Sequence, residues 1–116
     1  MITQDYVYNA FVTNVVDGDT IDADVDLGFT VWVSIRFRLY GLDTMETNDK
    51  DPIKREQALK AKQFVIDRLL NQNVTLRSHK TDKYGRWLAD IYLTNDMTKS
   101  VNTILLEEGL AKKYIL

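Results

Sequence analysis

The chain has 116 residues, 45% of them hydrophobic and 28% charged, the size and balance of one globular domain that builds a core without cross-links. It contains no cysteine and a single histidine, His79. Disulfide frameworks, thiolate metal sites and cysteine nucleophiles are thereby excluded, and a His-rich metal centre or a Ser-His-Asp triad is disfavoured. Any chemistry falls to carboxylates, arginines, hydroxyls and backbone groups.

The net charge of −2 conceals an asymmetry. Residues 1–35 carry six acids and no lysine or arginine, whereas residues 36–116 carry fifteen bases against eleven acids, a charge of −6 followed by +4. A balance of this sign does not mark a general nucleic-acid coat. Locally, Arg77, Lys80, Lys83 and Arg86 surround one acid, Asp82, and a solvated loop is the plain reading of that segment taken alone. The start of the chain, MITQDYVYNAF, lacks the basic beginning and apolar run of a signal peptide, and no stretch long and apolar enough to span a membrane occurs. A cytoplasmic protein is expected, with a processed secreted form as the alternative.

In chain order, residues 6–16 are rich in aromatic and β-branched types and predict a strand ended by the Asp17-Gly18 turn. From Thr20 to Asp26 the alternation is clean, with Ile21, Ala23 and Val25 on one face and Thr20, Asp22, Asp24 and Asp26 on the other. After the Leu27-Gly28 turn, Val31, Val33, Ile35, Phe37 and Leu39 form an apolar stripe expected to face the core, opposite Trp32, Ser34, Arg36, Arg38 and Tyr40. Three strands so closely joined predict an antiparallel meander.

Residues 41–52 break both periods and read as a loop. Helical spacing follows from Ile53 to Leu70, with Ala58, Ala61, Val65 and Leu69 on one stripe and Leu59, Ile66 and Leu70 widening it. Asp51 is its expected N-cap, Pro52 its first residue and Asn71 its stop. Val74 and Leu76 predict a short fourth strand, residues 77–86 a polar loop, and Trp87, Ala89, Ile91 and Leu93 a fifth strand. Ser100 caps a short helix through Glu108 that Gly109 stops. The fold class is α+β: a five-stranded OB-fold β-barrel with two or three helices, in which residues 1–116 form a single domain. That order alone suggests binding of oligonucleotide or oligosaccharide.

Two segments place carboxylates at strand ends beside turns, Asp17-Gly18-Asp19-Thr20 and Asp43-Thr44-Met45-Glu46. Hard oxygen donors of this kind suit Ca²⁺ or Mg²⁺, although either segment taken alone reads first as a turn. Arg38 lies opposite the apolar stripe. It either neutralises a phosphate beside those carboxylates or pairs across the sheet with Asp22 or Asp24. The loop Thr81-Asp82-Lys83-Tyr84-Gly85-Arg86 can offer a guanidinium to phosphate and a ring to a base. His79 is expected on the surface within the basic loop, and Trp32 and Trp87 are expected to pack rather than to stack on a ligand.

Four blocks together resemble the thermonuclease (staphylococcal nuclease-like) family in order and spacing. They are Val16-Asp17-Gly18-Asp19-Thr20, Phe37-Arg38-Leu39 with Asp43-Thr44-Met45-Glu46-Thr47, the loop from Thr81 to Arg86, and Gly109-Leu110-Ala111-Lys112. The resemblance implies a calcium-dependent nuclease that hydrolyses phosphodiester bonds of DNA and RNA, single strands favoured, with little sequence specificity. It implies Asp19 and Asp43 as metal carboxylates, Thr44 as a carbonyl ligand and Asp17 as an acid behind them. It further implies Arg38 on the scissile phosphate, Glu46 orienting or deprotonating the attacking water, and Arg86 on the leaving oxygen. Lys83 and Tyr84 would line the nucleotide pocket, with Tyr114 a further binding candidate.

Departures from the family pattern are Met45, where proline is usual, a shorter loop from Asn48 to Pro52, and Ile115 at a position often held by tyrosine. The sequence also ends at Leu116, before a third helix; apolar surface is therefore expected to be exposed, and the chain to be a monomer or weak dimer. The alternative function is a catalytically weak or inactive OB-fold nucleic-acid-binding module. Retention of Asp19, Arg38, Asp43, Glu46 and Arg86 favours the enzyme.

Overall fold

The structure, a computed structural model, describes residues 6–79, 81–94 and 96–114. Five strands close a barrel: β1 (Val7–Asp17), β2 (Thr20–Asp26), β3 (Trp32–Leu39), β5 (Asn73–His79) and β6 (Trp87–Leu93), in the spatial order β1-β2-β3-β6-β5. β5 returns to β1 and every pairing is antiparallel except β3 with β6. Helix α1 (Pro52–Leu69) joins β3 to β5, and α2 (Val101–Glu107) follows β6. This is the α+β barrel that the strand order predicts, with two helices. Among the described residues no helix is long and apolar enough to cross a membrane.

The alternation in β2 sends Ile21, Ala23 and Val25 into the core, where they meet Val12, Val15, Phe37, Leu39, Val74, Leu76 and Ile91. α1 buries Ala58, Ala61, Val65 and Leu69, and the Asp51 carboxylate accepts the Ile53 N–H at 2.9 Å. Ser100 caps α2 by accepting the Thr103 N–H at 3.1 Å. Asn102, on the inner face of α2, fastens that helix to the barrel. Its amide oxygen accepts the Ile91 N–H at 3.1 Å, and its nitrogen donates to the Tyr40 and Ala89 carbonyls, each at 3.0 Å.

Four sequence expectations are corrected. The stripe of β3 is buried only at Phe37 and Leu39, while Val31 and Val33 are exposed. The cause is that β3 meets β6 only over Phe37 to Leu39, so the tip of the β2–β3 hairpin projects beyond the barrel wall. Leu59 points to solvent instead of widening the helix stripe. Residues 41–52 are not wholly a loop, because β4 (Leu42–Asp43) pairs antiparallel with β7 (Lys112–Lys113). The fourth barrel strand runs on through Arg77, Ser78 and His79, which takes His79 out of the basic loop.

One close approach sets the position of the site. The β1–β2 turn lies flat on α1, such that a Cβ on Gly18 would sit 2.8 Å from the Ala61 Cβ and 3.1 Å from its backbone carbon. Only glycine lets Asp17 and Asp19 dock at that depth. Gly18→Ala is expected to destabilise the chain by about 1–3 kcal/mol through overpacking, read from the midpoint of urea unfolding.

Candidate functional site

Asp19, in the β1–β2 turn, is almost wholly buried. Its Oδ1 accepts the Thr20 hydroxyl at 2.9 Å and its Oδ2 accepts the Thr44 backbone N–H at 3.3 Å. Arg38 stands opposite Thr20 on the neighbouring strand, its side chain only 15% exposed. A single nitrogen of that guanidinium, Nη2, reaches Asp43 Oδ1 at 2.6 Å and Asp19 Oδ2 at 3.4 Å. Of the two readings of Arg38, pairing with Asp22 or Asp24 is thus set aside. Arg36 takes Asp22 instead, at 2.7 and 3.1 Å, and its hydrogen bonds hold the Asp22 carboxyl below the usual carboxylate range against the opposing effect of burial.

Asp43 is fixed by the short β4–β7 ladder, opposite Lys112. The chain then turns into a cleft of about 400 Å³ lined by Asp17, Asp19, Arg38, Asp43, Thr44 and Glu46, among others. Glu46 is exposed at its rim, three residues beyond Asp43. The Asp17 carboxylate accepts the Thr47 hydroxyl at 3.2 Å and so ties the first turn to the Glu46 segment. From Glu46 the backbone is linked into the cap of α1: the Asp49 N–H donates to the Glu46 carbonyl at 3.2 Å and the Asp51 N–H to the Asp49 carboxylate at 2.9 Å.

No group of three or more histidine, aspartate or glutamate side chains is placed to hold a metal among the described residues. The pair Asp19 and Asp43 nevertheless faces across one guanidinium nitrogen, one carboxylate buried and one half exposed. Two hard oxygen donors with an open side fit a calcium ion that fills the remainder of its shell with backbone carbonyl and water. The Thr44 N–H is spent on Asp19, which holds the Thr44 backbone against the carboxylate pair.

Arg86 does not line the acidic cleft. It lines a neighbouring groove of about 250 Å³ that shares Thr20 and Arg38 with the cleft. Its Nε and Nη2 both reach Asp82 Oδ2 at 2.7 Å. Asp82 Oδ1 accepts the Tyr84 and Arg86 N–H groups at 2.9 and 3.0 Å, and Gly85 turns the loop with a φ of 75°. Asp82 is therefore the organiser of the loop. The spacing from Asp82 to Arg86 around a Gly turn is the signal that could have found it.

Lys83 and Tyr84 are exposed on the same loop, with Lys83 Nζ 5.2 Å and Arg86 Cζ 5.1 Å from the Tyr84 ring centroid. Neither lines the acidic cleft. Tyr114 does come to the site, its ring centroid 5.9 Å from Arg38 Cζ. His79 is stacked on Tyr40 at 3.9 Å and bonded to Asp90 at 2.7 Å. Trp32 and Trp87 are largely exposed, contrary to the expectation that they pack. Lys80 and Ile115 lie outside the described residues.

Residues 36–116 match the family described as staphylococcal nuclease homologue, and the chain belongs to that family. It is 38% identical to the thermonuclease of Staphylococcus intermedius over 103 residues, covering 87% of this chain and 56% of that protein. It is 33% identical over 129 residues to an uncharacterized protein of Methanocaldococcus jannaschii, covering 93% of this chain and 60% of that protein. Identity to the micrococcal nuclease of Shigella flexneri is 28% over 109 residues, covering 89% of this chain and 56% of the relative. The chain thus spans little more than half the length of these relatives.

The loop that carries Arg86 has a defined pH response. Burial pushes the Asp82 carboxyl up, but the Arg86 N–H, the Arg86 guanidinium and the Tyr84 N–H outweigh it and hold the group below its ordinary value. A carboxyl lowered in the folded state stabilises fully above the unfolded value of about 4 and loses that contribution as pH falls through the folded value. The protection of the Tyr84 and Arg86 amides, their exchange rates taken relative to an unstructured chain at the same pH, is expected to hold at neutral pH and to fall only below about pH 4. In Asp82→Ala that protection is expected to be low at every pH.

Proposed function

We propose that this chain is a calcium-dependent nuclease that hydrolyses phosphodiester bonds of DNA and RNA with little sequence specificity. The observation that carries the reading is the convergence of Asp19 and Asp43 on Arg38 in a cleft that Glu46 also lines. Membership of a nuclease family supports it.

Asp19, Asp43 and the Thr44 carbonyl are the groups that would hold the ion. When bound, calcium supplies charge neutralisation at a phosphate oxygen and a place for a polarised water. Arg38, anchored from behind by two carboxylates, has guanidinium N–H groups left for a phosphate oxygen. Glu46 at the rim takes the proton of the attacking water as the new P–O bond forms. Arg86, in the groove that shares Thr20 and Arg38 with the cleft, is the cation for the leaving oxygen, on which negative charge collects as the ester P–O bond breaks. Arginine suits both positions because it remains charged and binds two oxygens at once. Lys83 and Tyr84, exposed beside Arg86, and Tyr114, against Arg38, are the side chains offered to the remainder of the nucleotide.

Cleavage of a fluorescent single-stranded DNA across a calcium titration, with a chelator blank, tests this reading. Wild type is expected to cleave only with calcium. Glu46→Gln and Arg86→Ala are each expected to lower kcat by about 10²-fold or more while their circular dichroism is unchanged. A folded wild type that binds the strand without cleaving it contradicts the enzyme and leaves a binding module.

A further inference from the structure

The groove next to the acidic cleft contains side chains that the hydrolytic scheme leaves unused. Its walls are Thr20, Arg36, Arg38, Gly85, Arg86 and Trp87. Thr20 and Arg38 line both the groove and the cleft. Trp87 opens β6 opposite Phe37 and shares that face of the sheet, yet 47% of it is exposed, because it stands at the very start of the strand. It lines the groove together with the three arginines Arg36, Arg38 and Arg86.

Those guanidiniums are held in place without being used up. Arg36 gives Nε and Nη2 to Asp22, and Arg86 gives Nε and Nη2 to Asp82. Each retains N–H groups of the five that arginine carries. The opening over Gly85 is unobstructed, since a Cβ there would meet nothing within 4 Å. Neither Tyr84 nor Tyr114 lines this groove.

An exposed aromatic face beside fixed cations suits a single-stranded nucleic acid, because the base stacks and the backbone phosphate takes the charge. Resting on the reading of the cleft as a phosphodiesterase centre, we propose that Trp87 and Arg36 form a nucleotide subsite. The base of the nucleotide adjoining the scissile phosphate stacks on the Trp87 indole, and the next phosphate outward takes Arg36. Bases inside a duplex are already stacked on one another, so the subsite selects single-stranded DNA or RNA. Stacking accepts every base, in keeping with a low sequence preference.

The test uses Trp32→Phe, which leaves Trp87 as the only indole. With chelator present, its fluorescence is titrated with a short single-stranded oligodeoxythymidylate and with an abasic strand of equal length and charge. The base-bearing strand is expected to quench Trp87 to saturation and the abasic strand to leave it unchanged. Trp87→Ala, checked for folding by circular dichroism, is expected to bind the thymidylate about tenfold more weakly. The same variant should bind the abasic strand as before, and Trp87→Phe should recover most of the loss. Absence of base-dependent quenching, or an equal loss for both strands, overturns the subsite. Cleavage with calcium is scored separately. Base-dependent quenching without cleavage keeps the subsite and removes the phosphodiesterase reading; cleavage without quenching does the reverse.

Discussion

Two carboxylates meeting in one cleft repel one another unless a fixed positive charge stands between them, and Arg38 is that charge. The rest of the structure is arranged to deliver these three groups to one point. β3 turns Arg38 away from the core, the β1–β2 turn presses Asp19 against α1 through Gly18, and the β4–β7 ladder holds Asp43. The arm from Arg38 to Asp19, 3.4 Å long, is the buried one, with side chains 15% and 9% exposed. The arm to Asp43 is the shorter, hydrogen-bonded one at 2.6 Å, and water screens its half-exposed carboxylate.

The strongly acidic first third of the sequence is largely absorbed by structure. Asp22 is paired with Arg36, Asp24 accepts the Ser34 hydroxyl at 2.6 Å, and Asp26 accepts the Gly28 N–H at 2.8 Å. Asp17 and Asp19 are the acids of that segment that turn into the cleft. The charge of the β2 face thus serves the hairpin, while cations at Arg38 and Arg86 border the opening where an anionic strand would enter. A net charge of −2 is compatible with such a local field, which depends on placement rather than on the sum.

Elements with a sustained period were legible in the sequence. α1 declares itself through Asp51, Pro52 and the stripe Ala58, Ala61, Val65 and Leu69, and β2 through strict alternation. β4 and β7 were not legible, since two residues carry no period and their pairing is decided by the return of the chain after α2. Alternation assigns Val31 and Val33 to a face without saying whether another strand covers it, and past Phe37 none does. At the site, Asp19, Arg38 and Asp43 stood out only through the four blocks that resemble the family, because each acidic segment alone reads as a turn and Arg38 alone as a strand residue with two readings. The work of Asp82 was hidden, because in composition it is one acid among bases and only its spacing to Gly85 and Arg86 marks it. Trp87 was misjudged for a similar reason: a strand position predicts a face, and alternation does not tell that Trp87, the first residue of β6, stands at the open end of that face.

The central claim is that Asp19 and Asp43, brought together on Arg38, form a cation site. Calorimetric titration of calcium into the nucleic-acid-free chain, beside Asp19→Asn and Asp43→Asn, tests it most directly. The expected result is one ion bound per chain, with affinity falling at least about tenfold in each variant as a charged ligand is lost. Calcium binding that is absent in the wild type, or equal in all three proteins, would contradict it.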